Sequence, residues 1–162
     1  MIAEIKKGIA SGSIVAPPSK SFAHRLIICA ALADGKSVIR GVEPSNDIDA
    51  TLDCIRALGA DVSFEGKNIH INGLGSKIMT KRRELPDISC RESGSTLRFM
   101  LPISLLCGGA RILGTERLIE RGIGVYEQIF ASRNVDFTFK KDEILLHRLA
   151  WKRFLKKYFD KL

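Results

Sequence analysis

A 17-residue stretch of this chain recurs in altered form 73 residues further on, with no gap. Residues 25–41, RLIICAALADGKSVIRG, lie over residues 98–114, RFMLPISLLCGGARILG. Both begin with arginine, and Leu32, Gly35, Ile39 and Gly41 fall on Leu105, Gly108, Ile112 and Gly114. The same offset sets Val62 on Val135 and Phe64 on Phe137. A chain that repeats itself is constrained to fold as like units that pack on one another.

Each unit reads as helix, strand, helix and hairpin. In the first, Ser19 or Ser21 is placed to cap a helix running to about Ala33 and stopping at Gly35. KSVIRGV is β-branched and reads as a strand. Ile48, Leu52, Ile55 and Leu58 form a helical stripe after the polar start SNDID, and Gly59 ends it. DVSFEG and NIHING then form a hairpin. In the second unit SGSTLRFMLPISLLCGG predicts a helix bent at Pro102, ARILGT a strand, RGIGVYEQIFASRN a helix and VDFTFKKDEILLH a hairpin. Residues 3–17 ahead of the first unit, AEIKKGIASGSIVAP, predict one or two further strands. The class is α/β (α+β), with repeated βαβαββ units over about 19–73 and 91–147.

The composition narrows the function. The formal charge of +8 invites a nucleic-acid reading, but residues 148–162 hold six basic residues and one acid. The remainder keeps 20 of the 26 basic and 17 of the 18 acidic residues, a net of only +3. Nucleic-acid binding by the body is therefore not favoured. Cys29, Cys54, Cys90 and Cys107 form no C-x-x-C pair and there are three histidines, so no metal site is expected and the thiols read as buried in a reducing compartment. No apolar run reaches the roughly 18 residues of a membrane span, and the start MIAEIKKG lacks a signal-peptide core, so a cytoplasmic protein is expected.

The repeat also points to a site. PPSKSFAHR, residues 17–25, places Lys20, Ser21 and Arg25 where an apolar helix begins. At the repeat offset Ser21 falls on Gly94, and Asp47 on Glu120, beside Arg121. Four equivalent helix starts are thus expected, polar or glycine-rich. Helix N-termini carry unpaired N–H groups and about half a positive charge, which attract anions. Lys20, Arg25 and Arg121 add full charges, a chemistry suited to phosphate or carboxylate. The same residues also fit a solvated helix start, with Ser21 only a cap and Gly94 only a turn. His24 reads as structural, Arg98 ranks below Arg121, and Asp49 and Asp53 read as lying on an outer helix face.

Three motifs in this order and spacing, PPSKSFAHR, ESGSTLRF and GTERLIERGI, resemble those of the enolpyruvyl transferase family over residues 1 to about 147. Ser21, where the branch acting on UDP-N-acetylglucosamine has asparagine, favours the shikimate branch. The resemblance implies the inside-out α/β barrel fold and transfer of the carboxyvinyl group of phosphoenolpyruvate to the 5-hydroxyl of shikimate 3-phosphate, with release of phosphate and no cofactor. It implies that Lys20 contacts both substrates and is catalytic, that Ser21 and Arg25 hold shikimate 3-phosphate, and that Gly94 and Arg121 hold phosphoenolpyruvate. Asp47 matches an acidic position near the cleft.

The sequence departs from the family pattern at Pro18, Arg91, Glu92 and Gly122, where glycine, glycine, asparagine and proline are usual. Glu92 would repel an anion unless it turns away or meets a base. The family proteins, expected to be monomers, have two domains of three units each, so this chain is expected to be a truncated form, inactive alone and open to self-association. The alternative is a non-catalytic protein that binds an anion, nucleic acid or a partner through residues 148–162. There Trp151, Phe154, Leu155, Tyr158, Phe159 and Leu162 recur at helical spacing, predicting a helix that covers the body or pairs with another copy.

Overall fold

The computed structural model describes residues 4, 7–9, 11–79, 84–133 and 135–147. The first unit comprises α1 (Lys20–Leu32), β1 (Lys36–Ile39), α2 (Asn46–Ala57), β2 (Asp61–Glu65) and β3 (Asn68–Asn72), and a 3-10 turn over Gly75–Met79 follows. The second comprises β4 (Asp87–Ser89), α3 (Gly94–Leu106), β5 (Ala110–Leu113), α4 (Glu116–Gly122), α5 (Gly124–Ser132), β6 (Phe137–Phe139) and β7 (Glu143–Leu146). Both β2–β3 and β6–β7 are the hairpins that the sequence predicts.

The helices begin where a hydroxyl satisfies an unpaired N–H. Ser19, Ser45, Ser93 and Thr115 cap α1, α2, α3 and α4, each side chain accepting from the backbone N–H three residues on. Ser21 is therefore not a cap; it lies in the first turn of α1. Both apolar helices give way to a glycine with left-handed backbone, Gly35 (φ 93°) after α1 and Gly108 (φ 89°) after α3. That shared need explains why glycine recurs at the repeat offset.

The sheets repeat as well. The first has the order β1-β3-β2, all antiparallel; the second has β4-β5-β7-β6, in which β4 runs parallel to β5. Ile39 faces Ile69 in the first register and its repeat mate Ile112 faces Ile144 in the second, all four buried. The second unit is a full βαβαββ. The first lacks its leading strand among the described residues, a correction to the strands expected ahead of α1. At the repeat offset residues 14–16 match β4, yet among the described residues no strand lies on the outer edge of β1, and Ile14 and Val15 are 93% and 98% exposed. A β-branched run is a strand only when a neighbour completes its ladder.

One contiguous core joins the units. Ile27, Ile48, Leu52, Ile55, Ile88, Leu97, Met100 and Ile112 are almost fully buried within it. At the joint the Cys54 thiol donates to Ser89 O at 3.3 Å. Its pKa is pushed up by its hydrogen bond with the Cys90 side chain and by burial, so Cys54 reads as an inert thiol. Cys29 departs from the expected burial: it is exposed, on the side of α1 away from Ala23, Ile27 and Ala30. No helix among the described residues is long and apolar enough to cross a membrane. Residues 148–162, with the helix and the binding roles expected of them, lie outside the described residues.

Candidate functional site

The first turns of α1, α2 and α3 meet. Lys20 Nζ lies 3.2 Å from Asp47 Oδ2, joining the start of α1 to that of α2. The Asp47 backbone carbonyl accepts from Thr96 Oγ1 at 3.3 Å, joining α2 to the third residue of α3. A Cβ placed on Gly94 would come within 4.0 Å of Arg121 Nη2 and 3.9 Å of Leu118 Cδ1, so Arg121 stands beside the start of α3. Lys20, Asp47, Gly94 and Arg121, separated by up to a hundred residues, thus form one continuous strip.

Arg121 reaches this strip by a different route from the expected one. The sequence puts it at a helix start; the structure puts it in the last turn of α4, with a second helix, α5, beginning at Gly124. Thr115 caps α4 early and takes the helix start away from Arg121. The starts of α1, α2 and α3 meet at the strip, and Arg121 contributes its own charge.

Arg25 lies one turn into α1. Its Nη1 donates to Ser21 O at 2.7 Å, and its guanidinium lies 5.5 Å from the centre of the Phe99 ring on α3. Ser21 itself is exposed. Among the described residues no carboxylate lies within ion-pair distance of Arg25, Arg117 or Arg121. These cations are free to meet an anion, whereas Lys20 is already held by Asp47. A shallow cavity of about 180 Å³ opens beside Arg121, lined by Glu92, Thr115, Arg117 and Leu118. Glu92 is exposed, lines this cavity together with the two arginines and makes no ion pair with either among the described residues. A second cavity of the same size, between Val42, Ile48, Leu52, Phe64 and Ile69, has mainly apolar walls, with Lys67 set against two carboxylates, Glu43 and Asp49, in its lining.

Arg91 explains one departure in the loop. It is the one described non-glycine residue with left-handed backbone (φ 52°), and its guanidinium pairs with Asp53. Its carbonyl accepts from Thr115 N at 3.1 Å, tying the loop before α3 to the cap of α4. Asp53, read as an outer-face residue, is half exposed and holds this loop.

Sequence reasoning missed a buried polar chain behind the strip. His24 Nδ1 lies 2.7 Å from Thr51 Oγ1, which lies 2.8 Å from Thr96 Oγ1, which lies 2.8 Å from Ser93 Oγ. All four side chains are almost fully buried, and they link α1, α2 and α3 directly beneath the site. Burial holds the His24 imidazole pKa below its ordinary value; Asp47 raises it and Lys20 and Arg25 lower it further.

Comparison with known proteins places this geometry. Residues 6–145 match the sequence model of the EPSP synthase (3-phosphoshikimate 1-carboxyvinyltransferase) family. The chain is 43% identical over 143 residues to the 3-phosphoshikimate 1-carboxyvinyltransferase of Clostridium botulinum (strain Alaska E43 / Type E3), covering 87% of this chain and 33% of that protein. It is 39% identical over 141 residues to the enzyme of the same name from Clostridioides difficile (strain 630), covering 83% and 32%. The fold matches the EPSP synthase of Acinetobacter baumannii with a TM-score of 0.69 at 20% identity, covering 84% of this chain and 32% of that one. The chain spans about a third of the length of these relatives.

Proposed function

The chain belongs to the EPSP synthase family, and on that footing we propose that its described residues form the anion-binding face of a 3-phosphoshikimate 1-carboxyvinyltransferase. The observation that carries this reading is the strip on which Lys20, Asp47, Gly94 and Arg121 converge from three helix starts and α4. Both substrates, shikimate 3-phosphate and phosphoenolpyruvate, are polyanions, and the strip offers helix dipoles and unpaired guanidinium groups to them.

In the reaction the 5-hydroxyl of shikimate 3-phosphate gives up its proton as its oxygen bonds to C2 of phosphoenolpyruvate, and C3 gains a proton. A tetrahedral adduct results. The C2–O bond to phosphate then breaks, C3 loses a proton, and the enol ether and inorganic phosphate leave. Ser21 and Arg25 hold shikimate 3-phosphate. The Gly94 N–H and the Arg121 guanidinium hold phosphoenolpyruvate. Lys20 lies between them, where its ammonium stabilises charge developing on the departing phosphate. Asp47 holds Lys20 in place until substrate charge competes for it. The setting is cytoplasmic, in keeping with unpaired thiols at Cys54 and Cys90.

The described residues form one face, and catalysis requires reactants held from both sides. The 162 residues alone therefore bind but do not turn over. Titration of the purified chain with shikimate 3-phosphate should saturate, Arg25→Ala should weaken it by about tenfold or more, and phosphate release from the two substrates should stay at background. Turnover above background refutes the one-faced reading; no saturable binding refutes the site.

A further inference from the structure

The turn between β4 and α3 sets where α3 begins. Ser93 N donates to Cys90 O at 2.9 Å, closing a turn with Arg91 and Glu92 at its corners. Arg91 holds the first corner with φ 52°, a backbone that a residue with a Cβ adopts at a cost and glycine adopts freely. Three contacts fix the turn from outside. Cys90 N donates to Leu113 O at 2.8 Å, Arg91 O accepts from Thr115 N at 3.1 Å, and the Arg91 guanidinium pairs with Asp53 on α2. Of the three, the last alone uses a side chain. Asp53 Oδ1 also accepts from Arg56 Nη1 at 3.3 Å, so the carboxylate is anchored on its own helix while Oδ2 holds Arg91. The turn leads directly into the site: Glu92 lines the cavity beside Arg121, and Ser93 caps α3 at Gly94. Asp47 at the start of the same α2 holds Lys20, so one helix grips both the lysine from α1 and the turn ahead of α3.

We propose that Asp53 and Arg91 are positioning residues for phosphoenolpyruvate: their ion pair holds Arg91 in left-handed backbone and so keeps the Gly94 N–H in place beside Arg121. The proposal rests on the site reading given above. Without the pair, the preference of arginine for ordinary backbone is released, the turn over residues 90–93 rearranges, and the start of α3 shifts against α4. Neither residue touches substrate; both act through the turn.

Titration of the labelled 162-residue chain with phosphoenolpyruvate, followed at the Gly94 amide, tests it. Arg91→Ala removes the pair and keeps the disfavoured backbone, and should weaken binding by about fivefold. Asp53→Asn should do the same. Arg91→Gly also removes the pair, yet takes the left-handed backbone freely, so it should bind within about twofold of the unaltered chain. Asp53→Asn added to Arg91→Gly should cost nothing further, because both changes act on one turn. Shikimate 3-phosphate, held by Ser21 and Arg25 on α1, should bind alike in every variant. Arg91→Gly as weak as Arg91→Ala would show that Arg91 acts by its charge, which overturns the proposal and leaves the site reading standing. Unchanged phosphoenolpyruvate affinity in Arg91→Ala, or an equal loss for shikimate 3-phosphate, overturns it as well, since the pair would then only brace the fold. A Gly94 amide that does not respond to phosphoenolpyruvate in the unaltered chain overturns the site reading and the proposal together.

Discussion

His24 stands between buried Ala23 and exposed Arg25 near the start of α1, and it is 2% exposed. The sequence shows its neighbours along the chain; it does not show Thr51 and Thr96, which lie 27 and 72 residues away and join it only once three helices are packed. A helical threonine reads from sequence as a mild liability, so its use as a buried link is invisible there. Lys20, Ser21, Arg25 and Gly94 were legible because charge and glycine at a helix start announce themselves locally. The buried histidine has a consequence for stability. Its folded pKa lies below the unfolded value of 6.5, so near and below pH 6.5 the unfolded chain binds a proton that the folded chain refuses. The contribution is fully present above pH 6.5 and is lost as pH falls toward the folded pKa. Thermal melts from pH 7.5 to 5.5 should show stability falling with acid, and His24→Gln should flatten that fall. An unchanged slope in His24→Gln would assign the acid sensitivity elsewhere.

At the scale of elements, hairpins and apolar helices were legible because their periods and glycine stops are local signals. The three-residue β4 was not, since its only definition is its pairing with β5. The break between α4 and α5 was not, since Thr115 captures the helix start ahead of the apparent one. Pro102 was read as lying inside a helix, and α3 runs through it to Leu106. A proline at this position offers no N–H to the carbonyl of Arg98, four residues back. Tyr126 Oη on α5 donates to that carbonyl at 2.9 Å, so a side chain from a later helix fills the gap in the ladder. Tyr126→Phe should therefore cost about 0.5–1.5 kcal/mol in urea unfolding. In a Pro102→Ala background the restored backbone N–H takes over Arg98 O, and the Tyr126→Phe cost should shrink toward zero. Equal costs in both backgrounds would mean that the tyrosine acts through its packing against Phe130 instead.

At the scale of the molecule, two units were legible from the 73-residue offset, and their joint across α2, α3 and β4 follows from apolar stripes that neither unit covers alone. What the offset hid is that α1 is apolar on both sides. Ala23, Ile27, Ala30 and Ala31 face the core, while Phe22 (61% exposed), Leu26 (37%) and Cys29 form a second stripe at i, i+4 and i+7. Beside the polar Lys20, Ser21 and Arg25 of the first turns, this second stripe lacks cover, and each large side chain on it gains about 2 kcal/mol when covered. Two copies of the chain pressing these stripes together would bury them, against the repulsion of Lys20, Arg25 and a net charge of +8 on each copy. Salt screens that repulsion within about 10 Å at 0.1 M and leaves the apolar gain intact. Self-association through α1 should therefore strengthen as salt is raised, the reverse of an ion-paired interface. Sedimentation velocity at low and high salt should show a concentration-dependent dimer favoured at high salt, and Phe22→Asp, which places a charge at the first and most exposed position of the stripe, should return the monomer. A dimer that persists in Phe22→Asp would move the interface off α1, and one that weakens with salt would make it electrostatic.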